Sequence, residues 1–183
     1  MIVNSSTSPH ALEVLFDQTG MLDAEIAPQI SSAELATLVR AHKGYRHWNP
    51  LLQLIAIHPS ADGALLSLIV RASNDPGVLN AVATSGRTSK KLLEQLSRST
   101  YRSVREHAKM GLLYKELEMA TAERFREILN ENRGDDERAV SVRGLLAMHQ
   151  RTPRDVLHLL AQDEFDFVRR AVSMRSKRPS KNQ

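Results

Sequence analysis

Apolar residues recur along this chain at helical spacing. Val156, Leu157, Leu160 and Ala161 illustrate the pattern, because positions three and four residues apart share one face of a helix. No stretch alternates apolar and polar residues with the period of two that a half-buried strand requires, so we predict an all-α protein. The predicted helices cover residues 9–18, 22–28, 32–42, 50–57, 60–72, 76–84, 88–98, 100–118, 121–131, 136–148, 152–162 and 164–175.

Polar caps and prolines mark several of the predicted helix starts. Ser31 and Glu34 have the spacing of a capping box, in which the side chain of each residue accepts a hydrogen bond from the backbone N–H of the other. Thr152 followed by Pro153 predicts a threonine N-cap with proline at the first helical position. The same order of cap and proline recurs at Ser8-Pro9, Asn49-Pro50 and Asp75-Pro76.

Two segments of the chain repeat one another. Residues 85–110 align without a gap on residues 149–174, and seven of the 26 positions are identical. A shorter signature, Val-Arg, four residues and then Met, begins at Val104, Val142 and Val168. These matches indicate a repeat protein, which must be recognised before any single element is interpreted.

Each repeat is predicted to contain two short helices. A junction of an apolar residue, Ala and a short polar link recurs at 55–66, 82–93 and 146–157. A helix of about 10–12 residues is marginal alone in water, and one pair of such helices still exposes an apolar face, so pairs stack on their neighbours. We therefore predict one α-helical repeat domain over residues 1–175, a solenoid of stacked two-helix repeats, followed by a basic, disordered tail over 176–183. The extra residues 111–120 either prolong one helix or bend the array.

The third junction resembles the α-solenoid repeats of the HEAT type, and most closely their leucine-rich-repeat variant. That variant has the pattern A-x-N-x-x-T-P-x-x-x-L-x-x-L-A-x-D, followed by V-R. Residues 146–172 match it at Ala147, Thr152, Pro153, Leu157, Leu160, Ala161, Asp163, Val168 and Arg169. His149 stands where Asn is usual, and residues 82–108 match in part. The resemblance implies a right-handed superhelix that binds partners on its concave surface, and it implies no reaction.

The composition is that of a folded soluble protein and removes several kinds of chemistry. Hydrophobic residues make up 42% of the chain and charged residues 25%. The absence of cysteine excludes disulfides, thiolate catalysis and cysteine-ligated zinc or iron–sulfur centres. No apolar run approaches the roughly 20 residues of a membrane span, and the N-terminus lacks the pattern of a secretory signal. We predict a cytoplasmic protein that does not bind membranes.

Basic residues concentrate in two places. Four of the 25 Lys and Arg residues lie in 175–183, and without them 21 basic residues face 21 acidic ones. Residues 85–110 carry seven basic and two acidic residues, whereas residues 1–40 carry one basic and five acidic. The basic stretch is either an ordinary solvated face or a patch for an anionic partner.

The signature arginines also allow two interpretations. Arg105, Arg143 and Arg169 occupy one repeated position, where an arginine can pair with an acid of its own repeat, as Arg169 could with Asp163. Alternatively, these arginines form a ladder that holds phosphates or carboxylates of a partner. The predicted partner-binding residues are Arg102, Arg105, Lys109, Arg143 and Arg169.

Three functions follow from these features, in order of preference. The first is a non-catalytic adaptor that binds another protein with an acidic surface. The second is sequence-nonspecific binding of nucleic acid through the basic residues, which favours a duplex because aromatic residues for stacking bases are scarce. The third is a DNA glycosylase of the HEAT-like kind, for which Trp48 with Asp62 or Asp75 is the best available set. We find no nucleophile with a base, no histidine pair with metal-ligand spacing and no phosphate-binding loop, so we predict no enzyme, cofactor or metal.

Overall fold

The computed structural model describes residues 31–41 and 48–176, and these residues form ten α-helices and no strand. The helices are α1 (Ser32–Ala41), α2 (Trp48–Ile57), α3 (Gly63–Ala72), α4 (Pro76–Thr84), α5 (Lys90–Leu96), α6 (Arg102–Leu117), α7 (Ala122–Glu131), α8 (Glu137–Met148), α9 (Arg154–Leu160) and α10 (Asp166–Ser176). The all-α prediction is confirmed for this part of the chain. The helices predicted at 9–18 and 22–28, and the tail beyond Ser176, lie outside the described residues.

Several predicted caps are present. The amide of Ser31 donates to Glu34 Oε2 at 2.8 Å and the amide of Glu34 donates to Ser31 Oγ at 3.3 Å, which confirms the capping box. Asp75 caps α4 by accepting from the amide of Val78 at 3.0 Å. These bonds occupy amide groups that have no partner within the helix, and they therefore fix where α1 and α4 begin.

Two predicted caps are wrong. Thr152 is buried before α9, and its hydroxyl donates to the carbonyl of Leu146 at 2.5 Å, so that Pro153 takes the N-cap position without a side-chain bond. Asn49 lies inside the first turn of α2, because this helix begins at Trp48 and not at Pro50 as predicted. The Oδ1 of Asn49 accepts from Ser73 Oγ at 2.9 Å. In both cases the side chain that a local cap would have used binds a residue in or directly after another helix.

The chain divides into two compact units, one ending at Gly111 and the other beginning at Leu112. In the first unit α1 packs on α3 and α2 on α4, in addition to contacts between successive helices. In the second unit α7 packs on α9 and α8 on α10 in the same manner. Helix α6 is continuous from Arg102 to Leu117, so the extra residues prolong a helix.

Each unit has its own apolar core, built mainly from aliphatic side chains. The first core is formed by α1 to α6, and the second includes the aromatic ring of Phe125. Among the most completely buried residues are Leu52, Ile55, Leu66, Ile69, Val78, Val82 and Val104 in the first unit, and Leu117, Phe125, Leu146, Val156, Leu160 and Val168 in the second. Aliphatic residues on one stripe of each short helix explain why no helix stands alone.

Candidate partner-binding surface

The arginines of the repeated signature hold loops of the chain itself. Arg105 Nη1 donates to the carbonyls of Ser99 and Thr100, both at 2.8 Å. Arg169 Nη1 donates to the carbonyls of Asp163 and Glu164, at 2.6 and 2.7 Å. The donor and both acceptors occupy aligned positions of the two repeated segments, so these segments share side-chain contacts as well as sequence. Each guanidinium fixes the loop that leads into its own helix.

Arg143 is the most deeply buried of the predicted contact residues. Its side chain is 4% exposed, and its Nε lies 2.7 Å from Asp163 Oδ2. Its Nη1 donates to the carbonyls of Asn132 at 2.7 Å and Gly134 at 2.6 Å, and the guanidinium carbon lies 5.4 Å from the centre of the Phe165 ring. This arginine joins the loop before α8 to the loop before α10.

The expected pairing of Asp163 with Arg169 is therefore wrong. The carboxylate of Asp163 binds Arg143, while Arg169 takes the backbone carbonyl of Asp163 and approaches Asp166 Oδ1 at 3.4 Å. Arg143 Nε and Nη2 both face the Asp163 carboxylate, at 2.7 and 3.4 Å, as a guanidinium fork does, so this carboxylate is held by Arg143.

Arg102 and Lys109 remain on the surface. Arg102 is the first residue of α6 and is exposed, and Lys109 Nζ lies 2.9 Å from Glu106 Oε1 in an ion pair exposed on both sides. Such exposed pairs are weak, so this lysine can exchange its partner at little cost. Of the five predicted contact residues, these two present accessible charge, Arg105 and Arg169 are partly exposed, and Arg143 is inside the fold.

The carboxylates proposed for base chemistry serve as helix caps. Asp62 Oδ1 accepts from the amide of Leu65 at 2.8 Å, and Asp75 caps α4 as described above. The backbone hydrogen bond from Leu65, followed by a side-chain bond with Ser32, lowers the pKa of Asp62. A carboxylate held ionised by a helix N-terminus is a poor proton donor.

The second unit exposes apolar side chains that the sequence did not lead us to expect on the surface. Met148 is 53% exposed, Phe167 59% and Met174 64%. We name these three residues the second-unit patch. Met148 and Met174 are methionines of the repeated signature that begins at Val142 and Val168.

Two contacts bring the second-unit patch together on α8 and α10. A Cβ added to Gly144 of α8 would lie 2.4 Å from Phe167 Cε1, so the start of α10 lies directly against α8. At the other end, Arg175 donates to the carbonyls of His149 and Gln150 just beyond α8. The two helices therefore run parallel. Met148 precedes His149 and Met174 precedes Arg175, so both methionines lie at the end of the helix pair where Arg175 binds these carbonyls.

The equivalent contact in the first unit is polar. Asn80 and Ser103 stand at the repeat positions of Gly144 and Phe167, and they form a hydrogen bond of 3.2 Å between Asn80 Nδ2 and Ser103 Oγ. His107 Nδ1 also lies 3.2 Å from Asn80 Oδ1. The same position in the repeat thus carries an amide and a hydroxyl in one unit, and a glycine and a phenyl ring in the other. This contact between neighbouring even-numbered helices is therefore polar in the first unit and apolar in the second.

A signal for this surface was present in the sequence. The residue before each buried junction histidine is exposed: Ile57 precedes His58, and Met148 precedes His149. At both positions the helix turns a recurring apolar residue away from the core.

His149 lies in an aromatic environment at the end of α8. Its ring centroid is 4.8 Å from that of Tyr114 and 5.7 Å from that of Phe125, and its Nδ1 accepts from the amide of Arg151 at 3.3 Å. Burial, with smaller contributions from Arg175 and Arg151, lowers the pKa of His149 below 6.5, although Glu118 opposes the shift. The imidazole is therefore neutral in the folded unit at neutral pH.

We expect the second unit to lose stability as the pH falls. Because the folded-state pKa of His149 is depressed, the unfolded chain takes up the proton first, and unfolding is favoured progressively below pH 6.5 until the folded form is protonated as well. The free energy of unfolding, measured in urea at a series of pH values, should fall less steeply with decreasing pH for His149→Asn than for the parent. His158 is exposed, and His158→Asn provides the control: its free energy of unfolding should depend on pH as that of the parent does. An identical pH profile for His149→Asn and the parent would contradict this role.

The described residues offer no metal site and no membrane span. No group of three or more potential metal ligands occurs among residues 31–41 and 48–176. Within the same part of the chain no helix is long and apolar enough to cross a bilayer. Comparisons with protein-family models, curated proteins and solved structures found no match for this chain.

Proposed function

We propose that the chain is a non-catalytic α-solenoid adaptor that binds another protein through the second-unit patch on α8 and α10. Two structural features support a solenoid. Helices pack on the next helix but one within each unit, as stacked two-helix repeats do, and Arg105 and Arg169 make equivalent contacts at aligned positions of the repeat. A right-handed superhelix is the form that the HEAT-type resemblance implies.

The second-unit patch is the observation that carries the binding function. Three large apolar side chains, each more than half exposed, lie on two parallel helices of one small unit. Contiguous exposed apolar surface costs solubility and marks an interaction site in most soluble proteins. Methionine and phenylalanine are also among the residues enriched at protein interfaces.

The predicted contact residues take different roles in this proposal. Arg102 and Lys109 provide exposed positive charge for an acidic partner, and the free faces of Arg105 and Arg169 can add to it. Arg143 contributes by fixing the loops around the second-unit patch. A cytoplasmic location fits this function, and no cofactor is required for it.

Nucleic-acid binding is the second candidate, and one observation favours it. The basic residues of 85–110 remain on the surface of the first unit, where Arg87, Lys90, Lys91, Arg98 and Arg102 are all exposed. Such a surface could bind a phosphate backbone without reading its sequence. The second-unit patch would have no role in that function, which is why we rank it below protein binding.

An affinity capture with and without nuclease distinguishes the two functions. We expect the full chain to retain its partner after nuclease treatment, and to lose it when Phe167→Ser and Met174→Ser are combined. The variant Lys90→Gln with Lys91→Gln should retain the protein partner. Loss of every partner on nuclease treatment, together with micromolar duplex binding that weakens steeply with salt, would favour the nucleic-acid function instead.

A further inference from the structure

We infer that the second-unit patch receives an amphipathic helix with acidic flanks, supplied by a partner protein. This inference rests on the proposed function and specifies the class of partner. Phe167 and Met174 are seven residues apart on one face of α10, which places them about 10 Å apart along the helix axis. A partner helix repeats its apolar side chains at the same i and i+7 spacing.

The shape of the patch suits a helix better than other peptide conformations. Phe167 rests against Gly144, where the missing side chain lets the ring lie low on α8, and the two methionines stand at the other end of the pair. Methionine side chains adapt to irregular apolar surfaces. An added strand would need an unpaired sheet edge, and the described residues contain no strand.

The charge around the patch selects acidic residues on the partner. Within α10, the described residues after Asp166 include Arg169, Arg170 and Arg175 and no Asp or Glu. Arg170, whose side chain is 73% exposed, lies between Phe167 and Met174 on the same face and pairs with Asp166 at 2.6 Å. That pair is exposed and can be exchanged for a carboxylate of the partner.

The same charge disfavours a second copy of this chain as the occupant. Two copies of the patch brought face to face would place Arg170 of one copy near Arg170 of the other. Like charges at an interface oppose association and act against self-pairing. A partner with carboxylates beside its apolar stripe has the complementary arrangement.

A displayed library of helical peptides, each of about 15 residues, tests this inference with the full chain as bait. We expect enriched peptides to carry apolar residues at i, i+3 or i+4, and i+7, with Asp or Glu beside them. A synthetic copy of an enriched peptide should bind Met174→Glu at least tenfold more weakly than the parent. Arg170→Gln should weaken binding and reduce its salt dependence.

Leu159→Ser is the matched control for this experiment. Leu159 is 55% exposed on α9, so it tests whether any exposed apolar side chain has the same effect. Its replacement should leave peptide binding unchanged. Because Met174 is more exposed than Phe167 and lies away from the Gly144 contact, Met174→Glu keeps the test valid if Phe167→Ser perturbs the fold.

Three results would overturn the inference. One is enrichment of basic or proline-rich peptides, and another is binding that is insensitive to Met174→Glu. The third is no enrichment at all, combined with Phe167-dependent binding to anionic lipid vesicles. If no helix is selected while a protein partner still survives nuclease treatment and still requires Phe167, the partner class is wrong and the proposed function stands.

Discussion

Replacing Arg143 with Met should destabilise the second unit by about 3–5 kcal/mol, the cost of breaking a buried ion pair by removing one partner. Asp163 would keep its charge inside the fold, with the amide of Phe165, 3.0 Å from Oδ1, still donating to it. The carbonyls of Asn132 and Gly134 would lose the donor that both share. Urea unfolding followed by circular dichroism measures the loss, and amide exchange in 132–134 should become faster.

Arg138→Met is the matched control, because Arg138 is an exposed arginine on the same helix. Its effect should stay within about 0.5 kcal/mol, as for most surface substitutions. The double variant Arg143→Met with Asp163→Asn should recover part of the lost stability, since no charge then remains buried. A loss below about 1 kcal/mol for Arg143→Met would show that solvent reaches the ion pair and that the arginine is free to bind a partner.

Replacing Gly111 with Val should destabilise the first unit by roughly 1–3 kcal/mol through overpacking. A Cβ at this position would lie 2.9 Å from Leu93 Cδ2 and 3.2 Å from the carbonyl oxygen of Ala83. Leu93 is buried and the carbonyl belongs to backbone, so neither can move away easily. The only tryptophan of the chain, Trp48, begins α2 of this unit, and its fluorescence can follow the unfolding in urea.

The direction of the stability change caused by a second substitution, Gly111→Ala, strengthens this test. Replacing a solvent-exposed helical glycine with alanine stabilises a helix by about 1 kcal/mol, but Gly111→Ala should give no such gain, because its Cβ meets the same atoms. Gly86→Ala is the control for added volume: Gly86 lies in a turn, its Cβ would meet nothing within 4 Å and its backbone lies outside the left-handed region, so this replacement should not destabilise the unit. A stabilised Gly111→Ala would mean that α6 does not approach Ala83 as closely as described.

Local sequence patterns were sufficient to predict the helices. The ten described helices correspond to ten predicted ones, because the apolar stripe, the Asp75-Pro76 start and the Ser31–Glu34 box all act within one or two turns. Such short-range rules need no knowledge of the tertiary fold. The same rules failed for Thr152, whose hydroxyl binds the carbonyl of Leu146 at the end of the preceding helix.

The candidate site could be predicted only in part. The sequence identified Arg143 and Arg169 as equivalent, but it could not show that the carboxylate of Asp163 would turn to Arg143. Nor could it show which apolar residues a short helix leaves exposed, since Met174 and the buried Val168 differ only in their direction around α10. These outcomes depend on how neighbouring helices are oriented, which is a tertiary property.

Site-specific photo-crosslinking is the decisive measurement of where the partner binds. A photoreactive phenylalanine analogue would replace Met148 or Met174 on the even-numbered helices, and Leu159 on α9 as the control. Crosslinks from positions 148 and 174 to one protein, with none from position 159, are the predicted result. Crosslinks to nucleic acid, or equal yields from all three positions, would contradict protein binding by the second-unit patch.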